Sequence, residues 1–288
     1  MKILITGCNG NIGRLLTKFF LEKDYEVYGI DNKSAGTTSD FYFIKDKYHS
    51  ISALKKIPKN IDLIFHLAGT NDIQDCENDP LGSNKNNVLH LSHFLENLKS
   101  LTYSKLIYFS STLLNSEFEN IYTTTKKKAE TLLVNHSKKS GNGLLIFRIG
   151  SVTNTIHNPN SFLTKVLQEV ISDKRITRRG TGEEIRSFIT SPLLFQLIDN
   201  YILHSSDLKS GVYLVDTNLK FRVRYILNLI LNFFDYNIDI VYSKENFYSE
   251  EDYNLTPFPT IFLESDESLQ EIIKQSYLKL YNEWKSEK

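Results

Sequence analysis

The sequence is poor in the residues that mark several classes of protein. It has two cysteines in 288 residues, Cys8 and Cys76, too few for a framework of several disulfides and without metal-ligand spacing. Its seven histidines are scattered, so no zinc site is expected. No apolar run approaches the roughly 20 residues of a membrane span; the nearest, at residues 225–234, is short and broken by asparagines. Lys plus Arg and Asp plus Glu both number 34, which leaves no net field to attract nucleic acid, an anionic membrane or a polyanionic substrate. The first residues enter a strand pattern with no basic region, apolar run and cleavage site, so a cytoplasmic location is expected. Cys8 reads as a small residue within a loop and Cys76 as a surface or partly buried thiol. Neither is assigned chemistry.

Glycine is sparse as well, 13 in all, yet three fall within seven positions at Gly7, Gly10 and Gly13. An apolar run at residues 2–6 suits a buried parallel strand, and Ile12, Leu15, Leu16, Phe19 and Phe20 then recur at helical spacing. Gly7, Gly10, Asn11, Ile12 and Gly13 therefore occupy a strand-to-helix turn. Such a turn needs positive φ and a bare backbone, so that the helix N-terminus can offer N–H groups to a pyrophosphate. A second strand at 25–30 ends on Asp31, followed by Asn32 and, closing that stretch, Gly36. The Asp31 carboxylate can accept both adenosine-ribose hydroxyls and would repel a 2′-phosphate, which points to NAD rather than NADP. The spacing differs from the commoner G-x-G-x-x-G, so the inference rests on the order strand, glycine turn, helix, strand, acid.

Further strands are expected at 41–44, 62–67, 105–110 and 144–148, with helices near 51–56, 83–98 and 122–138. This alternation predicts an α/β fold, a doubly wound parallel sheet (Rossmann fold) with a smaller C-terminal substrate lobe. Residues 1–153 are read as the nucleotide-binding domain and 154–288 as mainly the smaller lobe, with part of 183–205 packing back on the first domain. In the lobe, 162–172 looks helical, 175–186 is basic and glycine-containing, and 211–215 reads as a strand. No internal repeat is evident.

Tyr122 and Lys126 stand four apart at the start of a helical pattern, hence on one face about one turn from each other. A nearby ammonium favours tyrosinate, which makes a tyrosine usable as an acid or base near neutrality. Ser111, just past the fifth strand, can hydrogen-bond the same substrate oxygen. Taken alone, Tyr-x-x-x-Lys also occurs by chance, and residues 123–128 would suit a solvated helix start. Its position after the glycine turn, the acid-ended strand and the serine-ended strand makes it a catalytic candidate.

These segments together resemble the extended short-chain dehydrogenase/reductases, in the NAD-dependent epimerase/dehydratase family that acts on nucleotide sugars. The resemblance is carried by residues 6–13, Asp31 through Gly36, residues 62–69, Asn87, Ser110-Ser111 and Tyr122 to Lys126. It implies that Lys126 also holds the nicotinamide ribose, that Leu67, Ala68 and Gly69 pass beside the cofactor, and that Asp46 contacts adenine. Gly180 to Ile189 is similar to the family's glycine turn followed by Arg-Asp-Phe, which gives Arg186 the substrate diphosphate, with Arg178 and Arg179 able to add field. The resemblance further implies a homodimer through the helices near 83–98 and 122–138, where Leu91, Phe94, Leu95 and Leu98 form an apolar stripe that could equally face the sheet.

Departures from the family pattern bear on the substrate. Asn115-Ser116 stands where the family has Tyr-Gly, the segment after Arg148 lacks the usual Asn and Tyr-Gly-Pro, and Ser187 replaces an aspartate. Thr112-Leu113 occupies the place of the Asp-Glu pair with which the dehydratases abstract a proton and expel water, which argues against dehydration. The expected activity is NAD-dependent epimerisation of a nucleotide sugar at C4, with Ser111, Tyr122 and Lys126 catalytic. The alternatives are a nucleotide-sugar ketoreductase or dehydrogenase using the same residues, and an inactive dinucleotide-binding scaffold.

Overall fold

The computed structural model describes residues 1–34, 41–116, 119–153, 161–172, 175–204, 208–233, 238–243 and 257–286; Gly36 lies outside them. Strands β1 (Lys2–Thr6), β2 (Glu26–Asp31), β3 (Tyr42–Lys45), β4 (Asn60–His66), β5 (Thr102–Ser111) and β6 (Gly143–Ile149) alternate with helices α1 (Asn11–Leu21), α2 (Ile51–Leu54), α3 (Ile73–Asn78), α4 (Pro80–Asn84), α5 (His90–Asn97) and α6 (Ile121–Ser140). Later come β7 (Ser151–Val152), β8 (Ile176–Arg179), β9 (Ile185–Ile189), β10 (Gly211–Thr217), β11 (Lys220–Arg222), β12 (Ile240–Ser243) and β13 (Thr260–Leu263), with α7 (Phe162–Ile171), α8 (Ser191–Ile198), α9 (Val223–Phe233) and α10 (Leu269–Ser286).

Eight strands form one sheet in the order β13-β10-β6-β5-β4-β1-β2-β3. The pairs β1–β2, β1–β4, β2–β3, β4–β5 and β10–β13 all run parallel. Chain order reverses at β1, whose neighbours are β4 and β2, and ligands of doubly wound sheets bind beyond the carboxyl ends of the strands at such a switch point. Strand register also matters here: Thr6 on β1 is opposite His66 on β4, and His66 is opposite Tyr108 on β5.

The chain divides into two compact units. The first comprises Met1–Leu114, Glu119–Arg148 and Asp207–Tyr213. Its core sets Leu4, Ile30, Ile64, Leu106 and Ile146 of the strands against Leu91, Phe94, Leu95 and Leu98 and against Ala129 and Leu133 of α6. The stripe considered for a dimer seam is thus buried inside this unit, because those positions face the sheet. Helix α6 starts in a reciprocal cap: the Asn120 side chain accepts the Thr123 N–H at 2.8 Å and the Thr123 hydroxyl accepts the Asn120 N–H at 3.0 Å. That cap fixes Tyr122 in the first turn.

The helix expected from residue 83 begins three residues earlier, where Asp79 caps it and Pro80 takes its first turn. It widens into a π turn at Lys85–Leu89 before α5. Cys76, expected as a surface or partly buried thiol, is fully buried; its Sγ reaches the Thr70 carbonyl oxygen at 3.7 Å. The strand expected at 211–215, placed in the smaller lobe by its sequence position, lies between β6 and β13 in the large sheet.

The second unit comprises Asn115–Phe118, Ile149–Ser206 and Leu214–Lys288. In it β9 pairs in parallel with β7 and antiparallel with β11, while β8 pairs with β12. The basic stretch at 175–186 is therefore two strands joined by a turn. The buried Glu184 carboxylate closes that turn by accepting the N–H groups of Thr181 (2.6 Å) and Gly182 (2.7 Å), and these bonds hold it below the usual carboxylate range against the opposing effect of burial. Among the described residues no helix is long and apolar enough to cross a membrane, and no cluster of His, Cys, Asp or Glu could hold a metal ion.

Candidate active site

The glycine turn at the end of β1 is shaped by backbone contact. Gly7 has φ +73°, and a Cβ there would lie 2.7 Å from the Ala68 nitrogen. A Cβ on Gly13 would collide with the Gly7 carbonyl oxygen. Both positions need glycine for α1 to begin this close to the strand ends. Gly10 precedes the helix with no side-chain cap, so the first-turn N–H groups of Asn11, Ile12 and Gly13 suit an anion.

Asp31 ends β2, 8% exposed, with Oδ2 accepting the Asn9 N–H and Oδ1 the Lys33 N–H, both at 2.9 Å. These bonds orient the carboxylate, and each oxygen keeps a lone pair for a hydroxyl. Asn32, next along, is exposed. Asp46 lies beside this loop, its N–H donating to the Asp31 carbonyl at 3.0 Å. Its carboxylate, however, accepts the Lys47 N–H (2.7 Å) and the Ser52 hydroxyl (2.8 Å) at the entry to α2; the bond from Ser52 is the main cause that holds it below the usual carboxylate range.

Leu67, Ala68 and Gly69 leave the end of β4. The Leu67 N–H donates to the Thr6 carbonyl at 3.0 Å, and the Ala68 N–H reaches the Thr6 hydroxyl at 3.4 Å. The Asn87 side chain, carried on the π turn, binds the next peptide: Oδ1 accepts the Thr70 N–H at 2.7 Å, and Nδ2 donates to the Thr70 carbonyl at 2.8 Å and the Thr125 hydroxyl at 3.2 Å.

Ser111 is the last residue of β5, buried, with Oγ accepting the Leu113 N–H at 3.2 Å. Tyr122 is half-buried in the first turn of α6. One turn on, Lys126 is 5% exposed; its ammonium donates to the Phe109 carbonyl at 3.3 Å, two residues before Ser111. It also lies 4.8 Å from the Tyr108 ring centroid and 5.9 Å from that of Tyr122. Burial pushes Lys126 down to about 8, against the opposite pull of Glu130 and Cys76. The ammonium is still the major form at neutral pH. Glu130 is itself engaged by Arg148 through two charged hydrogen bonds, at 3.0 and 2.8 Å.

The glycine turn, Asp31, residues 67–69, Ser111, Tyr122 and Lys126 all belong to the first unit, at or just past the carboxyl ends of its strands or on α6. Arg186 belongs to the second, on β9, its guanidinium 4.5 Å from the Phe162 ring centroid. Arg178 lies 5.8 Å from the same centroid but is bound to Glu169 at 2.6 and 3.2 Å, so it adds little field. Three residues received no role from spacing: Thr6, His66 and Tyr108. His66 is recognisable only as part of the run before Leu67, and Tyr108 reads as one more apolar strand residue.

The family model described as "NAD dependent epimerase/dehydratase family" matches residues 3–192. The chain belongs to this family. A Pseudomonas aeruginosa relative, UDP-2-acetamido-2,6-beta-L-arabino-hexul-4-ose reductase, is 27% identical over 188 residues, 64% of this chain and 45% of the relative. A Dictyostelium discoideum relative, dTDP-D-glucose 4,6-dehydratase, is 24% identical over 271 residues, 80% of this chain and 62% of the relative. The chain thus spans less than two thirds of either. Among solved structures, UDP-glucuronic acid 4-epimerase from Bacillus cereus, in complex with UDP-glucuronic acid and NAD, superposes with a TM-score of 0.81 at 19% identity, covering 98% of this chain and 99% of that one. UDP-glucose 4-epimerase from Thermotoga maritima, with UDP-glucose, gives 0.79 at 18% identity, covering 99% and 100%. These likenesses establish the fold.

NAD is the cofactor of the family, and the residues present fit it: a side-chain-free turn, an uncapped helix start and an oriented carboxylate at the end of the neighbouring strand.

Proposed function

We propose that the protein is an NAD-dependent nucleotide-sugar 4-epimerase. The observation that carries this reading is the buried Lys126 ammonium, one helical turn from Tyr122 and bonded to the strand that ends in Ser111. The glycine turn would take the pyrophosphate, Asp31 the adenosine ribose and Lys126 the nicotinamide ribose, with Asn32 and residues 67–69 lining the cofactor and Asp46 near adenine through its backbone. Held there, NAD would supply the hydride acceptor and donor for the sugar carbon. Tyr122 takes the proton of the C4 hydroxyl and gives it back, Ser111 holds the same oxygen, and Lys126 favours the tyrosinate. Arg186 would anchor the diphosphate, leaving the sugar to turn over between the two transfers. UDP-sugars are the first candidates because structural neighbours carry them.

Reduction of a keto-sugar uses the same residues, and the name of the Pseudomonas relative favours it as the second reading. A panel of UDP-, dTDP- and GDP-sugars and 4-keto-sugars incubated with NAD or with NADH, with products read by NMR and mass spectrometry, separates the two: epimerisation leaves the nicotinamide state unchanged, reduction consumes NADH mole for mole. Tyr122→Phe should abolish turnover and spare NAD binding; Lys126→Met should impair both. No conversion of any sugar, or a near wild-type rate in Tyr122→Phe, overturns the proposal. A homodimer belongs to this reading too, although its seam cannot use the buried stripe. Leu81 (85% exposed) and Leu89 (46%) carry the outward apolar surface of that helical run, and a monomer by sedimentation at micromolar concentration would exclude the pairing.

A further inference from the structure

The strand registers line up Thr6, His66 and Tyr108 across β1, β4 and β5. Because opposed residues of neighbouring strands project from the same face, these three side chains form one row. The Thr6 hydroxyl shares a 2.7 Å hydrogen bond with His66 Nδ1. The His66 and Tyr108 rings lie side by side, 5.9 Å between centroids and 18° from parallel. Phe94 and Tyr48 close on His66 at 5.2 and 5.0 Å. At the end of this row sits the Lys126 ammonium, over the Tyr108 ring.

A buried cation needs compensation. The carboxylate one turn along, Glu130, is held by Arg148, and the bond to the Phe109 carbonyl is long at 3.3 Å. The electron-rich face of an aromatic ring can add to the pull of Glu130 and Cys76, and it does so most strongly where water is excluded. We propose that Tyr108 is a positioning residue, whose ring face holds the Lys126 ammonium against the start of α6 and whose own place is set by the Thr6–His66 pair. The neighbouring imidazole suits this role only if uncharged, since a second cation in the row would repel the first. Burial keeps His66 neutral down to about 3, with Lys126 adding to the effect.

The inference rests on the proposed function for the use to which Lys126 is put, but its test needs neither substrate nor NAD. The full chain is prepared with 13Cε-labelled lysine, and the Lys126 signal is identified by its loss in Lys126→Arg. Its titration is then followed in wild type and in a shape-preserving series: Tyr108→Phe, Tyr108→4-fluorophenylalanine and Tyr108→pentafluorophenylalanine. Successive fluorination weakens and then reverses the charge of the ring face while leaving a ring in the core. Tyr108→Phe should titrate with wild type, and the fluorinated rings should move the midpoint steadily downward, by roughly one pH unit at the end of the series. An unchanged midpoint across variants with wild-type circular dichroism overturns the proposal, since a ring that only fills space would be indifferent to its fluorine content. Should the pentafluoro variant fail to fold, the 4-fluoro step alone decides, by its displacement from Tyr108→Phe. Absence of turnover on every nucleotide sugar would reject the epimerase reading and leave this titration to stand by itself.

Discussion

The Asn87 carboxamide binds the Thr70 peptide on both sides, taking its N–H at 2.7 Å and giving to its carbonyl at 2.8 Å. Thr70 directly follows the Leu67–Gly69 stretch, so a side chain on the helical run steadies the loop assigned to the cofactor. The π turn at Lys85–Leu89 brings Asn87 to that position, and Tyr48 secures the turn by donating its hydroxyl to the Asn86 carbonyl at 2.7 Å. Widened turns of this kind are frequent at functional sites.

Asn87→Leu is accordingly expected to leave both polar groups of the Thr70 peptide without this partner and to cost about 1–3 kcal/mol of stability for each group left buried and unsatisfied. NAD affinity should fall with it. Denaturant unfolding together with calorimetric NAD titration checks both; undiminished NAD binding in the folded variant removes Asn87 from the cofactor site.

Asp31→Ala should weaken NAD binding and narrow the preference for NAD(H) over NADP(H), because it removes both the acceptor for ribose hydroxyls and the charge that repels a 2′-phosphate. Hydrogen bonds to a charged group are worth about 1.5–3 kcal/mol, so a loss of about tenfold or more in the ratio is expected. Calorimetry that shows wild type taking NADP(H) as tightly as NAD(H) contradicts the assignment.

Arg186→Ala should weaken nucleoside-diphosphate binding by about 1.5–3 kcal/mol, the range for a charged hydrogen bond. Turnover should drop as well, since under this proposal the remote diphosphate contact would orient the sugar. Titrations with UDP, dTDP and GDP test this; equal binding by wild type and variant, or none by wild type, would take the diphosphate away from Arg186.

His66 should make the fold acid-sensitive. In the fold burial keeps it neutral down to about 3, whereas an unfolded histidine protonates near 6.5. Between those values the unfolded chain binds the additional proton, so stability declines as pH falls through this window, at up to about 1.4 kcal/mol per pH unit. His90, pushed down to about 4 chiefly by burial, contributes over the same range. The measurement is therefore a difference: urea unfolding of wild type and His66→Asn from pH 7 to pH 4, with the variant expected to show the shallower loss. Parallel curves would mean that His66 titrates alike in both states.

Much of the site is local, and local patterns are what a sequence states openly. The apolar run into Gly7, the acid ending β2 and the four-residue step from Tyr122 to Lys126 each follow from strand or helix geometry over a few residues, and from these the nucleotide-binding architecture was already determined. Periodicity, however, reports that a face is apolar without saying what covers it. Leu91, Phe94, Leu95 and Leu98 could have met a second chain, and only packing against Ile64 and Leu106 turned them inward. The π turn that aims Asn87, the insertion of β10 between β6 and β13, and the row from Thr6 through His66 to Tyr108 depend on register between segments tens of residues apart. Register is chosen by the sum of side-chain contacts across strands and by the burial they achieve. That sum exists only once the chain has folded, so the sequence determined which residues stand as candidates for the chemistry, and the tertiary structure decided what holds them in place.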